Sequence, residues 1–316
     1  MPYQIQSNNT ELHPKAIELV NQTFGAEGLR MDKAFSQLLG KDNLHQQIIA
    51  VSDQQEVCSI ASFICFEQKF AQTIFKIGFI GAVCTSSDHQ GQGLSTKVLD
   101  HLQAQALDHG CDLLLISGGR SLYTRRGAKP LQQFKALHVE KGLPLEQPVF
   151  RSLEPFNPEL YDLYLSQSLR LELTALQFQQ QLSDSCYRIA TETQSKLSVL
   201  GYENSDGTLE WAVLIGKKDD EVRIIECFGD IPLNSAMAKL SQQLQAKVSA
   251  YERNLEQPDL NEPLLDTTLL LLKSPRMLTL AEDHYNADFE QLTDAFVGSS
   301  KDANIALLWP NGIFFQ

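Results

Sequence analysis

The segment FIGAVCTSSDHQGQGLSTKVLDHL, residues 79–102, constrains this chain more than any other: an apolar run enters a turn carrying Gly91 and Gly93 and leaves as a long helical stripe. From Gly91 to His109 the apolar positions Leu94, Val98, Leu102 and Ala106 recur every four residues, and Gly110 stands where such a helix ends. The first N–H groups of a helix have no intrahelical partner and lie at the positive end of its dipole, so an anion can be held there. Glycine lets phosphates approach the main chain where a Cβ would block them. A plain glycine turn before a helix fits these residues equally well. A Walker A loop is excluded because no G-K-[ST] follows, and the dinucleotide fingerprint fails because Thr96 stands where its third glycine belongs.

The surroundings predict a fold class. An apolar start (Tyr3 to Ile5), a helical stripe over Leu12–Phe24 and a short helix over Met31–Leu39 precede three β-rich runs at 47–52, 57–66 and 73–85 that read as an antiparallel meander. After the long helix come a buried strand at Asp112–Ser117, a short helix at Arg120–Arg126 and a strand at Phe134–Val139. With 316 residues the chain is about twice a common domain of ~150, and its pattern breaks at LEPFNP, Leu153–Pro158, so two domains are expected, 1–152 and 153–316. Beyond the break, residues 159–182 resemble residues 16–39, strand-like runs fall near 187–191, 197–202, 209–215 and 222–228, and a helix is expected over Asn234–Asn254. The expectation is an α/β fold of α+β character, a mixed, largely antiparallel sheet flanked by helices and present twice.

Gln90-Gly91-Gln92-Gly93-Leu94-Ser95 resembles the R/Q-x-x-G-x-G/A acyl-CoA signature of the GNAT superfamily of N-acetyltransferases, with Ser95 in place of the final small residue. Leu122-Tyr123-Thr124-Arg125-Arg126-Gly127-Ala128 resembles the second motif of that family, L-Y-x-x-x-G-F, with Ala128 in place of the aromatic. The resemblance covers roughly Tyr3 to Phe150, and tandem acetyltransferases with one active half look similar to the whole layout. It implies acetyl-CoA as cosubstrate and transfer of the acetyl group to a primary amine by direct attack. Gln90, Gly91, Gln92, Gly93, Leu94, Ser95 and Thr96 would hold the pyrophosphate, and Val83, Cys84 and Thr85 would pair with the pantetheine arm. A backbone N–H near Val83 would stabilise the oxyanion, and Tyr123 would protonate the leaving sulfur. Cys84 reads as packing, because direct transfer needs no nucleophile. Asp88 and His89 read as a solvated turn, and Arg125 and Arg126 either reach the nucleotide or complement a helix end. Glu56 and Glu67 are the nearby carboxylates, without geometry to make either the base. A non-catalytic acyl-CoA-binding or regulatory module would keep the glycine turn but have no use for Tyr123.

The second half lacks both motifs: where the glycine turn belongs it reads Cys227-Phe228-Gly229-Asp230-Ile231-Pro232, and Pro232 removes a donor. It is expected to be a degenerate copy that binds no CoA and supplies an acceptor wall or a homodimer surface. A net charge of −13 and no run of adjacent Lys/Arg longer than two argue against nucleic acid and anionic membranes. The acceptor is expected to be a small-molecule or protein amine. Aliphatic runs stop at four residues where a spanning helix needs ~20, and no leader pattern opens the chain, which points to the cytoplasm. The scattered cysteines show no C-x-x-C and the histidines no H-x-x-x-H, so no metal is expected.

Overall fold

The structure, a computed structural model, describes residues 2–70, 73–131, 134–167, 169–253 and 267–297. The first half runs β1 (Tyr3–Ser7), α1 (His13–Phe24), α2 (Met31–Ala34), α3 (Ser36–Leu39), β2 (Gln47–Ser52), β3 (Val57–Phe70), β4 (Thr73–Thr85), α4 (Leu94–Asp108), β5 (Leu113–Ser117), α5 (Ser121–Thr124), β6 (Lys129–Pro130) and β7 (Phe134–Val139). The second runs β8 (Phe150–Leu153), α6 (Pro158–Ser166), β9 (Leu169–Leu171), α7 (Ala175–Thr193), β10 (Lys196–Glu203), β11 (Leu209–Lys218), β12 (Glu221–Phe228), α8 (Leu233–Leu244), β13 (Lys247–Arg253), β14 (Thr267–Leu271), α9 (Pro275–Tyr285) and α10 (Phe289–Val297).

Two mixed, mostly antiparallel sheets carry these elements. One has the order β1-β2-β3-β4-β5-β14-β6, with β9 beside the far end of β3, and the other has the order β7-β13-β12-β11-β10-β8. The halves share a core order: β2-β3-β4-β5 in the first corresponds to β10-β11-β12-β13 in the second. In the first, β4 crosses through α4 to a parallel β5, and in the second β12 crosses through α8 to a parallel β13. A parallel neighbour requires such a crossover, which is why a long helix follows each of these strands. The last strands are exchanged between sheets: β7 pairs antiparallel with β13, and β14 pairs antiparallel with β5. Asp112, 2% exposed, secures the incoming segment. Its carboxylate accepts from the Lys76 N–H at 2.9 Å, the Ser274 hydroxyl at 2.7 Å and Arg276 Nη1 at 2.8 Å.

Several local expectations change. β3 does not stop at residue 66: Glu67, Gln68 and Lys69 continue it, paired with β4 on one side and, over Gln68–Phe70, with β9 on the other. Met31–Leu39 breaks into two helices at Phe35 (φ −138, ψ 56). Residues 187–191 are not a strand but the last turns of α7. That helix opens on a Thr174/Gln177 capping box and buries Phe178, Leu182 and Ile189 at helical spacing. The helix expected to reach Asn254, which lies outside the described residues, ends at Leu244, where Gln245 turns left-handed, and β13 begins. Gly110 does close α4: its N–H reaches the Leu107 carbonyl while the Cys111 N–H reaches that of Ala106, the paired bonds of a Schellman cap.

Candidate active site

The β4–β5 ladder ends at Ile80 and Ile116, while β4 runs on to Thr85, so the two parallel strands part at their C-terminal ends. The parting is reinforced by a bulge. Opposite the single residue Ala61 of β3, β4 places both Ala82 and Val83, and Ala82 adopts φ +56. Such an extra residue bends the strand and re-aims the groups after it.

A cavity of about 330 Å³ opens at this parting. Its walls come from β4 (Ile80, Gly81, Ala82, Val83), from the segment after β5 (Gly118, Arg120, Tyr123), from the α2–α3 break (Phe35) and from α7 (Gln181, Asp184, Ser185, Arg188). Val83 and Tyr123, far apart in sequence, therefore face one space. The Tyr123 ring lies against Gly118, where a Cβ would come within 3.5 Å of its Cε2, and the residue is 4% exposed.

Cys84 and Thr85 do not line the cavity. Cys84 points into the core beneath α1, and burial pushes its thiol up to about 11, which keeps it protonated at neutral pH. The hydroxyl of Thr85 lies 2.8 Å from Ser59 Oγ and 2.7 Å from Ser95 Oγ, so Ser95 ties the start of α4 to the end of β4.

The glycine turn follows β4, and none of its residues 90–96 lines the cavity. Gly91 and Gly93 have φ of +74 and +71, and a Cβ at either would meet nothing within 4 Å. α4 starts without a side-chain cap, and Gln90, Gln92 and Thr96 are exposed while Leu94 anchors the helix in the core. The turn is held from behind: Tyr3 donates its hydroxyl to Gln92 Oε1 at 2.8 Å and lies 3.0 Å from His89 Nδ1. Arg126 is spent on structure, donating to the carbonyls of Leu122 and Thr96 and to Asp100 Oδ1. This open, uncapped turn offers backbone N–H groups to an anion such as a phosphate.

The equivalent place in the second half is closed. A Cβ on Gly229 would fall 2.8 Å from the Glu210 carbonyl oxygen, and Gln167 Nε2 donates to the Cys227 carbonyl at 2.9 Å. Residues 4–131 match the family of the acetyltransferase (GNAT) domain. A search of curated proteins finds none with significant sequence similarity. Among solved structures, a conserved protein of Enterococcus faecalis V583 described as a probable N-acyltransferase superposes with a TM-score of 0.68 at 14% identity, covering 88% of this chain and 75% of that one. A GCN5-related N-acetyltransferase from Kribbella flavida reaches 0.61 at 14% identity, with 88% and 74% covered. Eis1 from Mycobacterium abscessus reaches 0.61 at 10% identity, with 88% and 75% covered. The likeness extends over both halves and is one of fold.

The family match falls in the first half, which carries the glycine turn and Tyr123. Sequence reasoning missed Ala82, Asp184 and Arg188. Neither Glu56 nor Glu67 lines the cavity, and among the described residues its one carboxylate is Asp184 of α7. Asp184 Oδ2 accepts from the Ser36 N–H and Oδ1 from Gln180 Nε2, both at 2.7 Å. Arg188, 4% exposed, lies over the Phe35 ring at 5.7 Å and donates to Glu192 at 3.3 Å; burial lowers its pKa from the ordinary value. The only advance signal for this pair was its four-residue spacing on a helix. Without knowing which face of α7 is buried, that spacing reads as a solvated ion pair. Among the described residues no group of three or more His, Cys, Asp or Glu could hold a metal ion, and no helix is long and apolar enough to cross a membrane.

Proposed function

We propose that this protein is an N-acetyltransferase that moves the acetyl group of acetyl-CoA to a primary amine by direct attack, with its working site in the first half. The observation that carries the reading is the shared cavity of Val83 and Tyr123 at the end of the strand that runs on into the open glycine turn. The uncapped N–H groups from Gln90 to Thr96 hold the pyrophosphate, and the strand end at Val83–Thr85 takes the pantetheine amides as a neighbouring strand would. The backbone N–H at the bulge faces the carbonyl oxygen as charge develops on it. The acceptor nitrogen bonds to the carbonyl carbon, the carbon–sulfur bond breaks, Tyr123 gives its proton to the sulfur, and the proton leaving nitrogen passes to water.

A non-catalytic acyl-CoA-binding module gives Tyr123 no task, and its place on the cavity favours the enzymatic reading. The test is release of free thiol from acetyl-CoA across a panel of amines. Tyr123→Phe should lower kcat about 100-fold, the low end of general-acid effects, while leaving CoA binding by calorimetry unchanged. Unaltered kcat with chemistry rate-limiting removes Tyr123 from the mechanism.

A further inference from the structure

The cavity described above has three chemically distinct parts. Its apolar wall is made of Phe24, Met31, Phe35, Leu38, Phe66 and Phe79, at the end contributed by α1–α3 and the sheet. Asp184 is its sole carboxylate among the described residues, and Arg188 lies four residues further along α7. Residues at that spacing are neighbours on one helix face, with Cβ atoms about 5–6 Å apart.

The two charges are set for a ligand in different ways. Both donors to Asp184 are uncharged, the Ser36 N–H and the Gln180 amide, so they orient the carboxylate without neutralising it. With one bond accepted on each oxygen, the carboxylate retains acceptor capacity, since it offers about four lone-pair sites in all. Arg188 is stacked on Phe35 and donates to Glu192 from Nη1, which fixes the plane of a guanidinium that carries five N–H donors.

We infer that the acceptor is an apolar α-amino acid: its ammonium is taken by Asp184 and gives one proton to water before the neutral amine attacks, its carboxylate is taken by Arg188, and its side chain by the Phe24–Phe79 wall. This rests on the acyl-transfer reading above and narrows it. Adjacent groups of opposite sign, joined to one apolar branch, complement an Asp and an Arg one turn apart beside an aromatic wall. A sugar-based amine is a poor fit, because each hydroxyl set against that wall would lose water without gaining a partner. A polyamine would bring several cations to a cavity whose charged lining residues are Asp184, Arg188 and Arg120. The volume, near the low end of the ~300–1,000 Å³ of small-molecule sites, suits one amino acid and an acetyl group. Asp184 and Arg188 act here as binding groups, so the second half contributes selectivity to a reaction performed by the first.

The test compares L-phenylalanine and L-leucine with phenethylamine, which lacks the carboxylate, with 3-phenylpropionate, which lacks the amine, and with spermidine. Binding is measured by calorimetry on the full chain, and thiol release from acetyl-CoA is followed separately. The amino acids should bind at least tenfold more tightly than either truncated analogue and should be acetylated in preference to spermidine. Arg188→Gln should abolish the preference for phenylalanine over phenethylamine, and Asp184→Asn the preference for phenylalanine over phenylpropionate. A purely structural role would lower all affinities together and leave these ratios unchanged. The ligand series on the unaltered protein decides the question even if a variant fails to fold. Equal binding of phenylalanine and its analogues, or thiol release with spermidine but no amino acid, overturns the inference while acyl transfer stands. Tight amino-acid binding without thiol release from any amine overturns the acyl-transfer reading instead.

Discussion

At the scale of single residues, Gly93 and Gly207 make a controlled pair. Both lie at positive φ, +71 and +84, and a Cβ on either would meet nothing within 4 Å. Alanine at each should therefore cost a similar ~1 kcal/mol from the left-handed backbone alone. Only Gly93 stands at the start of α4, in the turn proposed to hold the phosphates. Gly93→Ala should weaken CoA binding at least tenfold by calorimetry, and Gly207→Ala should leave it unchanged. Equal affinities for the two variants would reduce Gly93 to a turn residue. Cys84 supplies the converse case, a residue whose backbone is assigned to the pantetheine arm while its side chain points away from the cavity into the core. Its thiol is buried and held up at about 11 by that burial, so it is a neutral packing group below that pH. Cys84→Ala should lose about 1 kcal/mol in urea unfolding and keep its turnover. A large fall in kcat at unchanged CoA affinity would give the thiol a role.

At the scale of elements, the bulge in β4 separates local strain from tertiary purpose. Ala82 adopts φ +56, a conformation that costs a residue with a Cβ roughly 1–2 kcal/mol. The strain is maintained because the extra residue turns Val83 toward the parted strands, and the second sheet keeps the same device with Ile225 as the extra residue of β12. Ala82→Gly removes the strain but adds freedom to the unfolded chain, leaving a net gain of about 0.5 kcal/mol. Its Tm should rise by about 1–2 °C with register and turnover intact. A fall in Tm would mean that the Ala82 methyl makes contacts worth more than the strain. Helix α7 shows the same separation: its cap and apolar spacing are local, whereas the placement of Asp184 and Arg188 on a cavity depends on α2 and α3 packing beside it.

At the scale of the whole molecule, the exchanged strands bind the halves into one folding unit. β14 lies between β5 and β6 with Leu269, Leu270 and Leu271 all at most 7% exposed. Burying three such leucines contributes about 2 kcal/mol each, a sum comparable with the 5–15 kcal/mol that stabilises a typical domain. A chain truncated after Leu153 loses this strand, the anchor of Asp112 on Ser274 and Arg276, and the α7 wall. It should show no cooperative thermal transition and no CoA binding, and mixing with a separate 154–316 chain should restore both. Cooperative melting and CoA binding by the truncated chain alone would show that the exchange is dispensable.

Much of the site is legible in the chain itself because it rests on short-range chemistry. Two glycines at positive φ, an uncapped helix start and a glycine-closed helix end are each settled within a few residues, which is why the turn at Gly91–Gly93, the strand before it and Tyr123 could be located from residue order. The two sheets were also readable, from repeated element order. What the tertiary structure alone decided concerns edges and faces. Whether β3 stops at residue 66 or continues through Glu67–Lys69 depends on the strands that pair with it, β4 on one side and β9 on the other, and which sheet receives β7 and β14 depends on which open edge is nearest in space. Whether Asp184 and Arg188 face water or a ligand depends on what packs against α7. Hydrogen-bonding partners and burial supplied by residues a hundred positions away leave no periodic trace in the local sequence, so these features emerge only when the chain has closed on itself.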